Sequence, residues 1–329
     1  MGMLVNGRWK DVWYDTDGNA GRFERESARF RHWVTADGSA GPSGDSGYAA
    51  ESGRYHLYVS LACPWAHRTL IVRTLKGLEA LIDVSVVSPL MLDQGWTYTE
   101  AEDSSGDLVN GHQFHHQVYT RANPDYTGRV TVPVLWDRQR DTIVSNESAD
   151  IIRMLNSAFD GLTGNTLDLY PERFRENIEQ WNERIYPAVN NGVYRAGFAT
   201  TQEAYEEAYR ELFAELDHID AHLGTHRYLT GSELTEADVR LFTTLIRFDA
   251  VYHGHFKCNR QRLEDYRNIP GYIRDIYQLP GIADTVDFYH IKTHYYASHR
   301  NINPTGIVPA GPDIDYASPH NRQHLAGGA

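Results

Sequence analysis

Two stretches of this chain place residues as thiol and carboxylate chemistry would require. The first is Leu61-Ala62-Cys63-Pro64-Trp65-Ala66-His67-Arg68, with a cysteine directly before a proline. The thiolate, not the thiol, is the nucleophile, so a working cysteine needs surroundings that favour the anion. Proline suits the first position of a helix, because the N–H it lacks has no partner there. Cys63 therefore stands at a helix start, where free backbone N–H groups and the positive end of the helix dipole favour negative charge. Ala66 occupies the place where a dithiol oxidoreductase keeps its second cysteine. Cys63 is thus expected to form a mixed disulfide with an external thiol; the competing reading is a buried, inert cysteine. His67 and Arg68 fall a turn or more further on. They are expected to be outward-packing or acid-neutralising side chains rather than catalytic partners. The second stretch is Ser145-Asn146-Glu147-Ser148. Glu147 and Ser148 open another helix, where N–H groups and a hydroxyl could hold a small carboxylate. An ordinary helix cap is the alternative there.

Other candidates carry less. His253 with His255, and His290 with His294, lack a nearby glutamate base or third ligand, so no metal site is expected. Cys258, in His255-Phe256-Lys257-Cys258-Asn259, reads as structural. Neither of the 2 cysteines belongs to a CxxC pair, which excludes a zinc ribbon. A structural disulfide is not expected without a secretion signal.

Composition sets the class. A chain of 329 residues, 41% of them hydrophobic, can bury two ordinary cores. No apolar run approaches the length of a membrane span. The opening Met-Gly-Met-Leu-Val-Asn-Gly-Arg-Trp-Lys has no apolar signal core, so a cytoplasmic location is expected. A net charge of −13 repels phosphate and argues against nucleic acid as partner. Only Lys10, Lys76, Lys257 and Lys292 are lysines among 31 basic residues. That bias fits either a salty cytoplasm or a GC-rich genome.

The elements that would position these residues follow from pattern. Residues 1–50 are rich in Gly, Asp, Ser and Arg and read as an extension with few regular elements. Residues 55–60 read as a buried strand, a helix follows from Pro64 to near Gly77, and 81–89 form a second strand, giving a βαβ unit. Residues 93–128 resemble an insertion. Residues 129–137 and 141–145 read as two further strands, and 146–159 as a helix. This order is thioredoxin-type, and Val132-Pro133 stands where that fold carries a cis proline. Beyond residue 165 the pattern is helical: Phe174, Ile178, Trp181 and Ile185 recur at helical spacing, as do Tyr205, Tyr209, Leu212, Leu216, Ile219 and Leu223. Thr235 and Asp238 form a capping box for a helix running to about Tyr252.

Taken together, these pieces resemble the glutathionyl-hydroquinone reductases, or Xi-class glutathione transferases. The likeness is nearly full-length. It is carried by residues 57–70, 85–96, 128–137, 142–154, 190–205, 227–252, 255–259 and 302–312, most specifically by the CPWAHR and SNES motifs in combination. It implies the glutathione transferase architecture: an α/β thioredoxin-like thiol-binding domain at 51–160 after the 1–50 extension, then an all-α helical substrate domain with a C-terminal tail at 165–329. It implies a homodimer. It also implies glutathione-dependent reduction of glutathionyl-hydroquinones, with Cys63 attacking the conjugate sulfur. The same resemblance places glutathione on Trp96, Arg129, Val132, Glu147 and Ser148. Arg129 would pair with a carboxylate, Val132 would offer backbone groups, Glu147 would meet the γ-glutamyl ammonium and Ser148 its carboxylate. It places the aromatic substrate on Tyr194, Tyr252 and Tyr295, with Tyr296 as the alternative register for the last, and with Tyr194 and Tyr252 on the rims of a cleft.

Other functions share these residues. A broader single-cysteine thiol transferase would reduce dehydroascorbate or mixed disulfides by the same mechanism. Another γ-glutamyl thiol, such as γ-glutamylcysteine, could replace glutathione. A non-enzymatic interaction module would leave Cys63 inert. A conjugating transferase that activates glutathione through serine or tyrosine fits less well, because a cysteine oxidises with glutathione more readily than it promotes conjugation.

Overall fold

The computed structural model describes residues 2–99 and 103–327. The outermost positions of the expected extension and tail, and three positions of the insertion, lie outside the described residues. In chain order the first elements are β1 (Met3–Val5), β2 (Arg8–Lys10), β3 (Tyr55–Val59), α1 (Pro64–Leu75), β4 (Asp83–Val86), β5 (Met91–Leu92), β6 (Gly95–Trp96) and α2 (His115–Ala122). Then come β7 (Gly128–Arg129), β8 (Val134–Asp137), β9 (Thr142–Ser145), α3 (Ser148–Ser157) and α4 (Asp160–Thr163). Helices α5 (Arg175–Ile185), α6 (Gly192–Gly197), α7 (Gln202–Leu223), α8 (Glu236–Arg247), α9 (Ile269–Tyr277) and α10 (Phe288–Ser298) complete the order. The chain divides into two compact units. One comprises Met1–Trp13, Glu26–Leu167 and Thr285–His299; the other comprises Tyr14–Arg25, Asp168–Asp284 and Arg300–Ala329.

The first unit is thioredoxin-like. Its 4-stranded sheet has the order β4-β3-β8-β9. β3 and β4 are parallel, joined through α1, while β8 runs antiparallel to both β3 and β9. Every residue of β3 is buried, as expected for an inner strand covered on both faces. Helices α1 and α3 pack against each other. The single strand expected over 129–137 is two elements. Gly128–Arg129 pairs with β1 in a separate 3-stranded sheet, and Val134–Asp137 alone joins the main sheet. Pro133, which follows a cis bond to Val132, has no N–H to give to a ladder. The strand expected over 81–89 is confined to Asp83–Val86, and the insertion contains β5, β6 and α2. The extension is more regular than its composition implied, because β1 and β2 form a hairpin.

The second unit is helical. α7 spans the expected residues and buries Leu212, Leu216, Ile219 and Leu223, while Tyr205 and Tyr209 are half-buried. The capping box at α8 is present: the Asp238 carboxylate accepts from Thr235 N–H at 2.9 Å and Thr235 Oγ1 at 3.0 Å. It also accepts from the Leu229 N–H and the Tyr272 hydroxyl. Helix α8 continues as a π-turn over Phe248–Tyr252. Among the described residues, no helix is long and apolar enough to cross a membrane.

Four histidines are held neutral by burial. His56 and His115 in the first unit, and His222 and His255 in the second, each fall from the ordinary 6.5 to about 4. Desolvation is the leading cause in each. A depressed histidine binds its proton more readily in the unfolded chain. The stability it contributes is therefore present above about pH 6.5 and is lost as pH falls through about 4. Urea midpoints measured from pH 7.5 down to 4.5 are expected to fall steadily across that window; a flat profile would contradict four imidazoles held neutral, three of them buried and His222 half-buried.

Candidate active site

Cys63 is the N-cap of α1, with Pro64 at the first helical position. Its carbonyl accepts the first helical bond, from His67 N–H at 3.0 Å, and its own N–H donates to Ser60 O at 3.1 Å. The half-exposed thiol donates to Val132 O at 3.5 Å. The helix N-terminus favours a thiolate there, while the bond to Val132 O is one the protonated thiol makes. Cys258 is the opposite case. It is wholly buried, and desolvation pushes its thiol far up. Cys63 and Cys258 are not joined in a disulfide.

His67 and Arg68 are not outward residues. Both are buried, His67 with a bond from its Nε2 to Thr285 Oγ1 at 2.8 Å. Arg68 turns towards the start of α3, where its Nη1 donates to Ser148 Oγ at 3.4 Å, and its guanidinium lies 4.5 Å from the Trp65 ring centre. The helical turn that begins at Cys63 carries Arg68 to the start of α3 and His67 to Thr285. Arg68 thus puts a cation beside Ser148. The only sequence signal for this was its place inside the CPWAHR motif.

Glu147 is the N-cap of α3, its carboxylate accepting from Ala149 N–H at 3.0 Å, and Ser148 is the first helical residue. Val132 lies beside Cys63, as described. Trp96, in β6, is buried and stacks on His294 with ring centres 4.6 Å apart. His294 Nδ1 lies 3.1 Å from Pro89 O. Nothing in the sequence pattern joined His294 to Trp96. Arg129, in β7, is already engaged within the chain: its Nη1 donates to Val12 O at 2.6 Å and its Nη2 to Trp13 O at 3.0 Å. The Glu26 carboxylate stands 3.7 Å from its Nε.

The three tyrosines are buried rather than displayed on a rim. Tyr194 and Tyr252 belong to the helical unit, with ring centres 5.9 Å apart, and Tyr252 stacks on Phe256 at 5.4 Å. The Arg25 guanidinium lies 5.0 Å from the Tyr194 ring centre. Tyr295 is on α10 and so belongs to the thioredoxin-like unit. It is buried, edge-on to His299 at 5.5 Å, whereas Tyr296 is half-buried. Among the described residues, no group of 3 or more His, Cys, Asp or Glu is arranged to hold a metal ion.

Comparison with known proteins agrees with this fold. Glutathione S-transferase family models match residues 62–158 for the N-terminal domain and 202–275 for the C-terminal domain. The chain is 57% identical to glutathionyl-hydroquinone reductase YqjG of Escherichia coli (strain K12) over 98% of both chains. It is 51% identical to glutathionyl-hydroquinone reductase PcpF of Sphingobium chlorophenolicum over 95% of this chain and 96% of that one. The glutathione-bound structure of E. coli YqjG superposes with a TM-score of 0.90 at 55% identity, covering 97% of this chain and 98% of that chain. The Xi-class glutathione transferase of Natrialba magadii superposes with a TM-score of 0.91 at 50% identity, covering 99% of this chain and 98% of that chain.

The contrast between the two thiols gives a direct prediction. Iodoacetamide added to the native protein should label Cys63 and spare Cys258, which becomes reactive only on unfolding. Peptide mass mapping reads this, and labelling of Cys258 in the native protein would show that the helical core opens.

Proposed function

This chain belongs to the Xi-class glutathione transferases, the family of the glutathionyl-hydroquinone reductases, and from that membership we propose that it reduces glutathionyl-hydroquinones to hydroquinones through a mixed disulfide on Cys63. The observation that carries the reading is the half-exposed Cys63 at the N-cap of α1, its sulfur against the Val132 carbonyl. The Cys63 thiolate attacks the sulfur of the bound conjugate. An S–S bond forms between Cys63 and glutathione, and the bond from that sulfur to the aromatic carbon breaks. The electron pair goes to the ring carbon, which takes a proton. A second glutathione thiolate then attacks the glutathione sulfur of the mixed disulfide, releasing oxidised glutathione and restoring Cys63.

Glutathione is the cosubstrate in this reading, held by Trp96, Arg129, Val132, Glu147 and Ser148. The start of α3 suits its γ-glutamyl end: helix N–H groups and the Arg68 guanidinium beside Ser148 favour the carboxylate, and Glu147 the ammonium. Tyr194, Tyr252 and Tyr295 serve the hydroquinone, as hydrogen-bond partners of its oxygens and as proton donors to the leaving carbon. A cytoplasmic homodimer completes the reading, and light scattering on the purified protein tests the dimer.

The deciding experiment is intact-protein mass spectrometry with glutathionyl-hydroquinone and no added thiol. One glutathione adduct on the wild type, none on Cys63→Ser, and free hydroquinone in solution are expected. A folded wild type without an adduct would sink the assignment for glutathione, and a γ-glutamylcysteine conjugate in the same assay would show whether the thiol or the cysteine was misread. Tyr252→Phe should slow turnover of the aromatic conjugate about tenfold or more while sparing a small glutathione disulfide. Equal effects on both would remove Tyr252 from the quinol site.

A further inference from the structure

The thiol-site residues Trp96 and Arg129 are far apart in sequence, yet one short segment touches the chain at both. The turn of the β1–β2 hairpin is Asn6-Gly7, with φ of 48° and 70°, the left-handed pair that a tight hairpin turn requires. It is seated on the loop before β7. Asn6 N–H donates to Thr127 Oγ1 at 2.8 Å and Gly7 N–H to Tyr126 O at 3.0 Å. A Cβ at Gly7 would lie 1.9 Å from Pro124 O, so this approach is open only to glycine. β1 then pairs with β7, with Met3 opposite Arg129 and the buried Leu4 opposite Gly128. Past β2, the Val12 and Trp13 carbonyls take the two Arg129 Nη donors. The backbone of Arg129 and its guanidinium are thus both set by the same short segment, residues 3–13.

Trp9 makes the second contact. Its indole N–H donates to Asp93 O at 2.8 Å, in the turn between β5 and β6. Its ring lies so close to Gly95 that a Cβ there would be 2.7 Å from it. The ring also stacks on His116 at 4.9 Å, and His116 stacks on Phe114 at 5.3 Å. Gly95 precedes Trp96 directly, so Trp9 fixes the backbone that carries the Trp96 ring.

We propose that residues 3–13 are a positioning element of the thiol site, with Trp9 its principal residue, holding Trp96 and Arg129 in their binding geometry before glutathione arrives. The proposal rests on the reading of Trp96 and Arg129 as glutathione-binding residues. A side chain fixed in advance loses less freedom on binding, so loosening this segment weakens thiol capture. Trp9 acts through Asp93, Gly95 and His116, so its loss is read in capture of the thiol rather than in the step at Cys63.

Steady-state kinetics on wild type, Trp9→Ala, Trp9→Phe and Arg129→Ala test this. Trp9→Ala should raise the KM for the glutathionyl-hydroquinone conjugate about tenfold with kcat within about twofold. Trp9→Phe keeps a stacking ring and loses the N–H, and should raise KM about threefold. A wild-type KM in Trp9→Ala, in a protein where Arg129→Ala raises KM, would overturn the proposal. So would a fall in kcat and melting temperature with KM unchanged, the mark of a merely structural role. If Trp9→Ala does not fold, Trp9→Phe decides: an unchanged KM overturns the proposal. An unchanged KM in Arg129→Ala would instead refute the thiol-site reading, and the positioning role with it.

Discussion

The junction at Cys63 depends on sheet register. β3 and β8 run antiparallel with Tyr58 opposite Val134. Continuing that register two residues beyond the Tyr58–Val134 pair sets Ser60 across from Val132. The turn through Ser60, bonded to Cys63 N–H, then lifts the sulfur onto the Val132 carbonyl. A slip of one residue would move another carbonyl under the thiol and turn every side chain of β8 to the opposite face. All of β8 is buried, so such a slip would press each side chain into space already filled by other packing and is strongly disfavoured. The position of the Cys63 thiol is therefore secured by the same burial that holds the sheet together.

The thioredoxin-like unit is assembled from three separate stretches of the chain. His67 of α1 meets Thr285, Trp96 of β6 meets His294, and Met91 N–H donates to Ser298 Oγ at 3.0 Å. α10 thus packs with the thioredoxin-like unit and carries Tyr295 with it. One of the tyrosines proposed to read the quinol is mounted on the unit proposed to read the thiol. Its position is tied to that of Trp96 through the adjacent His294, without reference to the helical unit.

Elements whose signal is local were legible. Cys63-Pro64 marked the start of α1, the Thr235–Asp238 pair marked α8, and the apolar spacing in α7 matched its limits at both ends. Each rests on interactions within about one or two turns of chain. What pattern could not reveal depends on contacts across great sequence separation. Arg129 is a surface-type residue by composition, and only the fold brings the Val12 and Trp13 carbonyls to it. Arg68 was read as outward because helix direction is fixed by packing, and α3 lies on that side. The strand expected over 129–137 divides because β7 has a partner from the N-terminus that no periodicity encodes. The burial of Tyr194 and Tyr252 follows from their aromatic neighbours Phe198 and Phe256, a cluster scattered in sequence.

The excess of arginine over lysine has a use within the fold. Arg54 is nearly buried and meets the fully buried Asp137 through Nε at 3.0 Å and Nη2 at 2.5 Å. Arg227 grips the buried Asp275 through Nε and Nη2, both at 2.8 Å. Arg184 and Glu215 pair in the same forked manner at 3.1 and 2.9 Å. A planar fork satisfies both oxygens of a carboxylate at once, which a lysine ammonium does not reproduce. The distinction matters most where the carboxylate is buried, because an oxygen left without a donor there is costly. Lys76, one of the four lysines, is buried where its partners are the Leu167 carbonyl and one Asp160 oxygen, a site that asks for a point donor rather than a fork. Part of the arginine bias is therefore set by the shape of the carboxylates it meets inside the protein, and a salt-rich cytoplasm is not needed to account for that part.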